Sequence, residues 1–316
     1  MPVILGAGGA KVIINFLFIL LLPLLFIGVI NKTKAVWAGR KGASILQPLF
    51  TVIKLIGKSE VHSHSSSHIF SWAPSLSLAA TLIAALFIPF GAQHAVLGFR
   101  GDFFLFMSLL ALSKAVIVLA AMDVGSSFEG MGASREISFT AFLEPAFLLI
   151  IGSLAYAGGF GTLGQLFLHH RVYIFNEWSV IIAVLTALAL FIMMLVEGAR
   201  VPFDDPATHL ELTMIHEVMV LDTSGVNLAM VHYASALKVQ IYASMISYFL
   251  IPEGMGKLSI AAIYLLGSFG LAVSAGLVES LMPRYRISRN LELVIIPLSI
   301  SLLVLAALIV HNLGGI

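Results

Sequence analysis

Hydrophobic positions along this chain come in long, nearly unbroken runs separated by short polar stretches. Eight of these runs, residues 12–30, 75–90, 103–122, 139–157, 179–196, 235–251, 259–281 and 293–310, approach the length of a membrane-crossing helix. Such a helix needs roughly 20 mostly apolar residues, fewer or more with tilt. The third run contains Lys114 and the fourth contains Glu144. The first run lacks a clear small-x-small cleavage site and is followed by a basic loop, so it is expected to be a retained anchor rather than a signal peptide. Two polar stretches are long. Residues 31–74 predict a short amphipathic helix near 47–56. Residues 198–233 predict another, with Asp205 as N-cap and Pro206 at the first helical position, running on to stop before Ser224-Gly225. On it His209, Thr213, His216 and Glu217 share a polar face, whereas Glu211 falls beside Met214, Ile215 and Val218 on the apolar side, where a carboxylate is partly desolvated. The pattern therefore predicts an all-α, polytopic membrane protein. It has eight transmembrane helices and an amphipathic cytoplasmic helix between helices 5 and 6. With no long linker and no convincing repeat, residues 1–316 read as a single membrane domain.

Composition narrows the function classes. Charged residues are 10% of the chain and hydrophobic ones 59%, whereas a soluble domain carries about a quarter charged residues. A soluble enzyme, a nucleic-acid binder and a disordered chain are excluded. Lys plus Arg number 17 and Asp plus Glu 16, so net charge identifies no partner. The absence of cysteine excludes disulfides, iron–sulfur clusters and thiolate zinc sites on this chain. The distribution of charge says more. Lys32, Lys34, Arg40, Lys41, Lys54 and Lys58 follow the first helix, and Arg135, Arg200, Arg284, Arg286 and Arg289, with Lys238 close by, follow helices 3, 5 and 7. The opposite side has only Lys11, Arg100, Arg171 and Lys257. The positive-inside rule then places the odd loops in the cytoplasm and both termini outside. Among the acids only Asp102, Glu177 and Glu253 belong to the outer loops. A polar vestibule that opens to the cytoplasm and continues into the membrane would explain that bias.

Several residues carry candidate chemistry. An ionised Glu144 inside an apolar stretch costs several kcal/mol unless it is paired, so function is the first reading and a structural ion pair the second. Pro145 also deprives the Ala141 carbonyl of its helical partner. Lys114, at mid-span, is expected to face carboxylates inside the bundle, as a counter-ion or as a proton relay. Glu197 and Arg200, three apart at the end of helix 5, are expected to share a helical face. The segment from Asp123 to Glu136 holds Gly125, Gly130 and Gly132, which allow a tight turn, but no Gly-Lys-Ser/Thr of a Walker loop. His62, His64 and His68 have a weak metal-like spacing in a serine-rich loop, and the His209, His216, Glu211 set is weaker still, so no metal site is expected. No nucleophile–base motif or dinucleotide fingerprint is evident.

Three blocks, in order, resemble one family. They are Leu46-Gln47-Pro48 with Ile53-Lys54-Leu55; Gly132-Ala133-Ser134-Arg135-Glu136 with Glu144-Pro145; and Glu197-x-x-Arg200-x-Pro202-Phe203-Asp204 with Glu211-Leu212. Together they resemble the subunit 1 family of NADH-quinone oxidoreductase, respiratory complex I. Within it they look most like the membrane-bound group 4 nickel–iron hydrogenase branch, formate hydrogenlyase subunit 4 and hydrogenase-4 component C. The resemblance covers nearly the whole chain. It implies an inner-membrane subunit with no redox centre or cofactor of its own, anchored in lipid and binding no nucleic acid. Its implied partners are hydrogenase-like large and small subunits that carry iron–sulfur clusters and nickel–iron, and antiporter-like membrane subunits. By position Glu144, Glu197 and Glu211 match the family's intramembrane acidic path and Asp204 its motif aspartate, with Lys114 and His209 as further relay candidates. Arg135 and Arg200 match basic residues at its cytoplasmic mouth, where Glu136, Asp205, Glu217 and Asp123 are also expected to lie and to serve docking. Ala207 and His209 stand where the complex I pattern has acids, and the later stretch reads Val220-Leu221-Asp222-Thr223-Ser224-Gly225. Both departures lean away from a quinone chamber and toward the hydrogenase side. The rival readings are a quinone-reducing complex, a stand-alone secondary transporter, and a purely structural anchor with inert acids. A transporter usually shows repeated halves and broken helices, not found here.

Overall fold

The computed structural model describes residues 9–61, 65–91, 95–169, 177–206, 211–251 and 255–314. His62, His64, Arg171, His209 and Glu253 lie outside the described residues. The described chain is all α. In order the helices are α1 (Gly9–Trp37), α2 (Gln47–Ile56), α3 (His68–Ala85), α4 (Asp102–Asp123), α5 (Ser127–Gly158), α6 (Leu163–His169), α7 (Glu177–Glu197), α8 (Gly225–Phe249), α9 (Lys257–Leu281) and α10 (Ile287–Gly314). A single 3-10 turn occupies Glu217–Val220.

Among the described residues seven helices, α1, α3, α4, α5, α7, α9 and α10, are long and apolar enough to cross a membrane. The sixth predicted run became α8, which is long but falls short of that apolar standard. Its place explains why. α8 packs against α1, α3, α7 and α9 in the bundle and against α2 and α6 at its ends. Every residue from Ala236 to Phe249 is buried. A helix enclosed by protein need not present an apolar surface to lipid, and it keeps polar side chains that a lipid-facing helix would exclude.

Helix ends moved where side chains capture backbone groups. α3 begins seven residues before the predicted start, because Ser67 caps it by accepting a hydrogen bond from the Ile69 amide at 3.2 Å. The Ser67 amide in turn donates to the Asp123 carboxylate at 2.7 Å. α5 begins at Ser127, so most of the glycine-bearing stretch read as a loop is helical and only Gly125, with φ +74°, makes the turn. Gly132 lies where α5 crosses the 3-10 turn: a Cβ there would sit 2.4 Å from Val218 Cγ1 and 2.9 Å from the Ile215 carbonyl. α2 occupies Gln47–Ile56 as expected, with Leu55 buried and Phe50, Ile53 and Ile56 exposed.

The amphipathic helix expected between helices 5 and 6 is the main correction. Among the described residues, 211–213 form a turn and only Glu217–Val220 coil into a single 3-10 turn. The backbone groups that would close an α-helix are taken by side chains. The buried Asp204 carboxylate accepts from the amides of Asp205 at 2.9 Å and of Ile215 and His216 at 3.0 Å each. Arg135 donates to the carbonyls of Leu212 at 2.9 Å and Met214 at 2.7 Å. Arg284 pairs with Asp204 at 2.7 Å and also donates to the Thr213 carbonyl. Charge-assisted bonds of this kind are roughly twice as strong as neutral ones, which is enough to outweigh the weak helical preference of a short segment.

Candidate functional site: a buried charge cluster and a neighbouring cavity

Lys114 extends from the middle of α4 toward α5 and the end of α7. Its ammonium forms a direct ion pair with Glu197, lies 3.9 Å from Glu136 and donates to the Thr140 hydroxyl at 3.4 Å. The side chains of all three charged residues are largely hidden from solvent. Glu136, Thr140 and Glu144 are spaced four apart and so lie along one face of α5. Glu144 lines a small cavity of about 10 Å³ together with Lys114, Glu197, Tyr242, Leu110 and Phe147. That is room for about one water. Lys114 is near enough to attract the Glu144 carboxylate. Lys238 approaches from α8, buried, within electrostatic reach of Glu197, Lys114 and Glu136. Three acids and two lysines from four helices thus share one interior region.

The expectation that Glu197 and Arg200 share a helical face is corrected. α7 stops at Glu197, and Ala199 adopts a left-handed φ of +49°. The Arg200 amide returns to the Leu195 carbonyl at 2.8 Å and the Ala199 amide to Val196 at 3.1 Å, the paired bonds of a Schellman ending. Gly198 permits this, since a Cβ there would lie 2.4 Å from Val239 Cγ2 of α8. The reversal sends the two side chains apart. Glu197 joins Lys114, whereas Arg200 turns to α9 and α1, donating to Glu279 at 3.3 Å and Asn31 at 3.4 Å.

Arg200 belongs to a second cluster. Lys34 lies 3.5 Å from Glu279 and 3.6 Å from Asp205. This group forms part of the wall of a cavity of about 850 Å³ between α1, α2, α8 and the loop after α7. Leu24, Ile27 and Val52 give the cavity an apolar side, and Arg200, His216, Glu217, His232 and Glu279 a polar one.

Of the residues singled out from sequence, Lys114, Glu136, Glu144 and Glu197 converge in the interior, Arg200 and Glu217 line the large cavity, and Asp205 pairs with Lys34 on its wall. Asp204, Arg135 and Asp123 instead bind backbone and brace the loops. Glu211 is exposed in a turn, not desolvated on an apolar helix face, because the described residues 211–216 do not coil into a helix. His209 lies outside the described residues. Sequence reasoning overlooked Thr140, Tyr242, Asn31, Lys34 and Glu279. The four-residue spacing around Thr140 was a readable signal, and so was an acid in the last turn of the seventh run; Tyr242 had none. Among the described residues no three His, Asp or Glu side chains come together as a metal site.

An all-helical bundle with paired charges inside a lipid-crossing assembly defines a polytopic membrane protein with a buried ionic network. The chain belongs to the NADH dehydrogenase family, whose model matches residues 10–309. Hydrogenase-4 component C of Escherichia coli (strain K12) is 29% identical over 246 residues, 78% of this chain and 76% of that protein. Formate hydrogenlyase subunit 4 of the same organism is 26% identical over 227 residues, 72% of each. The fold is also that of a chain in the membrane-bound sulfane sulfur reductase, an archaeal respiratory membrane complex. That chain has a TM-score of 0.76 and 22% identity, over 93% of this chain and 98% of that one. Without cysteine, the chain offers no thiolate to hold an iron–sulfur cluster.

Proposed function

We propose that the chain anchors a cytoplasmic redox arm in the inner membrane and couples its turnover to proton or sodium movement. The complex is of the group 4 hydrogenase or formate hydrogenlyase kind. The partners are hydrogenase-like large and small subunits that carry iron–sulfur clusters and nickel–iron, and antiporter-like membrane subunits. In this reading α8 is the eighth span, both termini lie outside, and the 198–224 loop faces the arm.

One observation carries the reading: Lys114 holds Glu197 and Glu136 inside an apolar bundle, with Glu144 on the same small cavity. Buried charges of this kind are expensive and mark ion pathways by default. The lever is also local. Glu197 is the last residue of α7, and the chain runs from it directly into the loop braced by Asp204, Arg135 and Arg284. A displacement of that loop by the docked arm moves the Glu197 carboxylate relative to Lys114. The weakened pair changes the proton affinity of both and of Glu144, and protons pass along them. Glu211, exposed in the same loop, meets the arm.

Glu144→Gln tests this in the intact complex. The variant should assemble normally but lose ion translocation, measured in closed vesicles during turnover. Full coupled activity would remove Glu144 from the path. A second reading, a quinone-reducing complex, is favoured by the large cavity, whose volume lies within the usual range of small-molecule sites.

A further inference from the structure

The polar segment after α1 combines three features that the coupling role leaves unused. The first is where it lies. Gly39 and Gly42, with φ of +68° and +61°, let the chain double back on α1. A Cβ at Gly42 would press on Ala35 Cβ, Lys32 Nζ donates to the Lys41 carbonyl at 2.6 Å, and a Cβ at Gly28 would collide with the Ile45 carbonyl. The returning chain thus descends α1 from the level of Trp37 to that of Gly28, about 13 Å. Gly28 belongs to the apolar run of α1, one turn below Lys32. α2 therefore starts beside the edge of the membrane-crossing stretch and not out beyond it.

The second feature is the face left open. α2 packs on α1 and α8 through Leu49, Val52 and Leu55. On its other side Leu46, Phe50 and Ile53, spaced four and three apart, form one stripe. They are 43%, 54% and 57% exposed, too open for a stripe of this kind to face water. The third feature is charge. Residues 32–58 hold six Lys and Arg and no acid. Lys34 turns inward to Glu279 and Asp205, whereas Arg40, Lys41, Lys54 and Lys58 are exposed. Lys54 borders the apolar stripe, and Lys58 follows one turn later. A surface helix with an apolar stripe and basic flanks sinks about 5–10 Å into the headgroup and acyl boundary, and its long basic side chains reach back to the headgroups. A soluble partner would have to meet this stripe at the level of lipid.

We propose that the outer face of α2 is a binding surface for anionic phospholipid, with Leu46, Phe50 and Ile53 among the acyl chains and Lys54, Lys58, Arg40 and Lys41 holding phosphate groups. The inner side of α2 contributes Gln47, Pro48, Thr51 and Val52 to the wall of the large cavity, so the bound lipid fixes the position of that wall. The proposal stands apart from the coupling role, since it requires only that the chain lies in a bilayer.

Hydrogen exchange at the α2 amides of the assembled complex tests it, in nanodiscs of phosphatidylcholine alone or of phosphatidylcholine mixed equally with phosphatidylglycerol. Exchange from Phe50 to Ile56 should slow roughly ten-fold with phosphatidylglycerol, the gain expected when one or two basic residues meet an anionic surface. Lys54→Gln with Lys58→Gln should erase that difference at unchanged complex content, and Lys54→Arg with Lys58→Arg, which keeps the charge, should retain it. Equal exchange in the two lipids overturns the proposal, and so does a slowing that survives the glutamine pair. Exchange that rises when the soluble arm is stripped off, whatever the lipid, gives the stripe to a protein partner and overturns it as well. Glu144→Gln should leave the lipid response intact, so failure of the coupling reading and failure of this one are read separately.

Discussion

Lys114 is the residue on which the buried network closes. It faces two carboxylates and a threonine hydroxyl, and Lys238 adds a second positive charge nearby. Removing one member of a buried pair leaves the other charged and unsolvated, which costs about 3–5 kcal/mol, whereas neutralising both partners is often tolerated. Lys114→Met should therefore lower the thermal stability of the purified complex sharply, and Lys114→Met with Glu197→Gln should recover most of it. A double-mutant cycle on melting temperature reads the coupling. Additive losses would mean that the ion pair does not hold in the assembled protein. Much of this was legible in the chain itself: a lysine and a glutamate inside apolar runs must find partners. Their partners were not legible, because Glu197 and Arg200 sit only three residues apart yet serve different clusters.

At the scale of elements, the segment after α7 shows how side chains override local propensity. Capping signals at Asp205 and Pro206 and an amphipathic spacing both favoured a helix. One buried aspartate and two arginines, drawn from α5 and from the loop after α9, take its backbone groups instead. Asp204→Asn keeps the shape but removes the charge facing Arg284. It should speed hydrogen exchange at the Ile215 and His216 amides and raise protease sensitivity of the loop, with a loss of about 1–3 kcal/mol in local stability. Exchange as slow as in the wild type would show that the loop is held by packing, not by this carboxylate. α2 behaved in the opposite way. Its apolar residues and the proline at its start were sufficient locally, and it folded over the residues expected.

The whole molecule brings the small charged cavity and the large one to either side of the end of α7, so a single reversal of the chain at Ala199 touches both. Quinone occupancy is testable at this scale. In the hydrogenase reading, the purified complex retains no quinone, and a competitive quinone analogue leaves electron transfer unchanged. Inhibition that Arg200→Met weakens would transfer the large cavity to the quinone-reducing reading. Family membership suits either outcome.

Sequence alone determined that the chain lives in a membrane, that its long segments are helices, and that Lys114 and Glu144 require partners, because transfer energetics act on each segment separately. Tertiary structure decided the rest. Burial of α8 relieved it of the need to be apolar on its outer face. A left-handed alanine parted two charges that helical spacing would have joined, and long-range arginines replaced a helix with a braced loop. Each depends on groups far apart in the chain meeting in space, and no local pattern encodes that meeting.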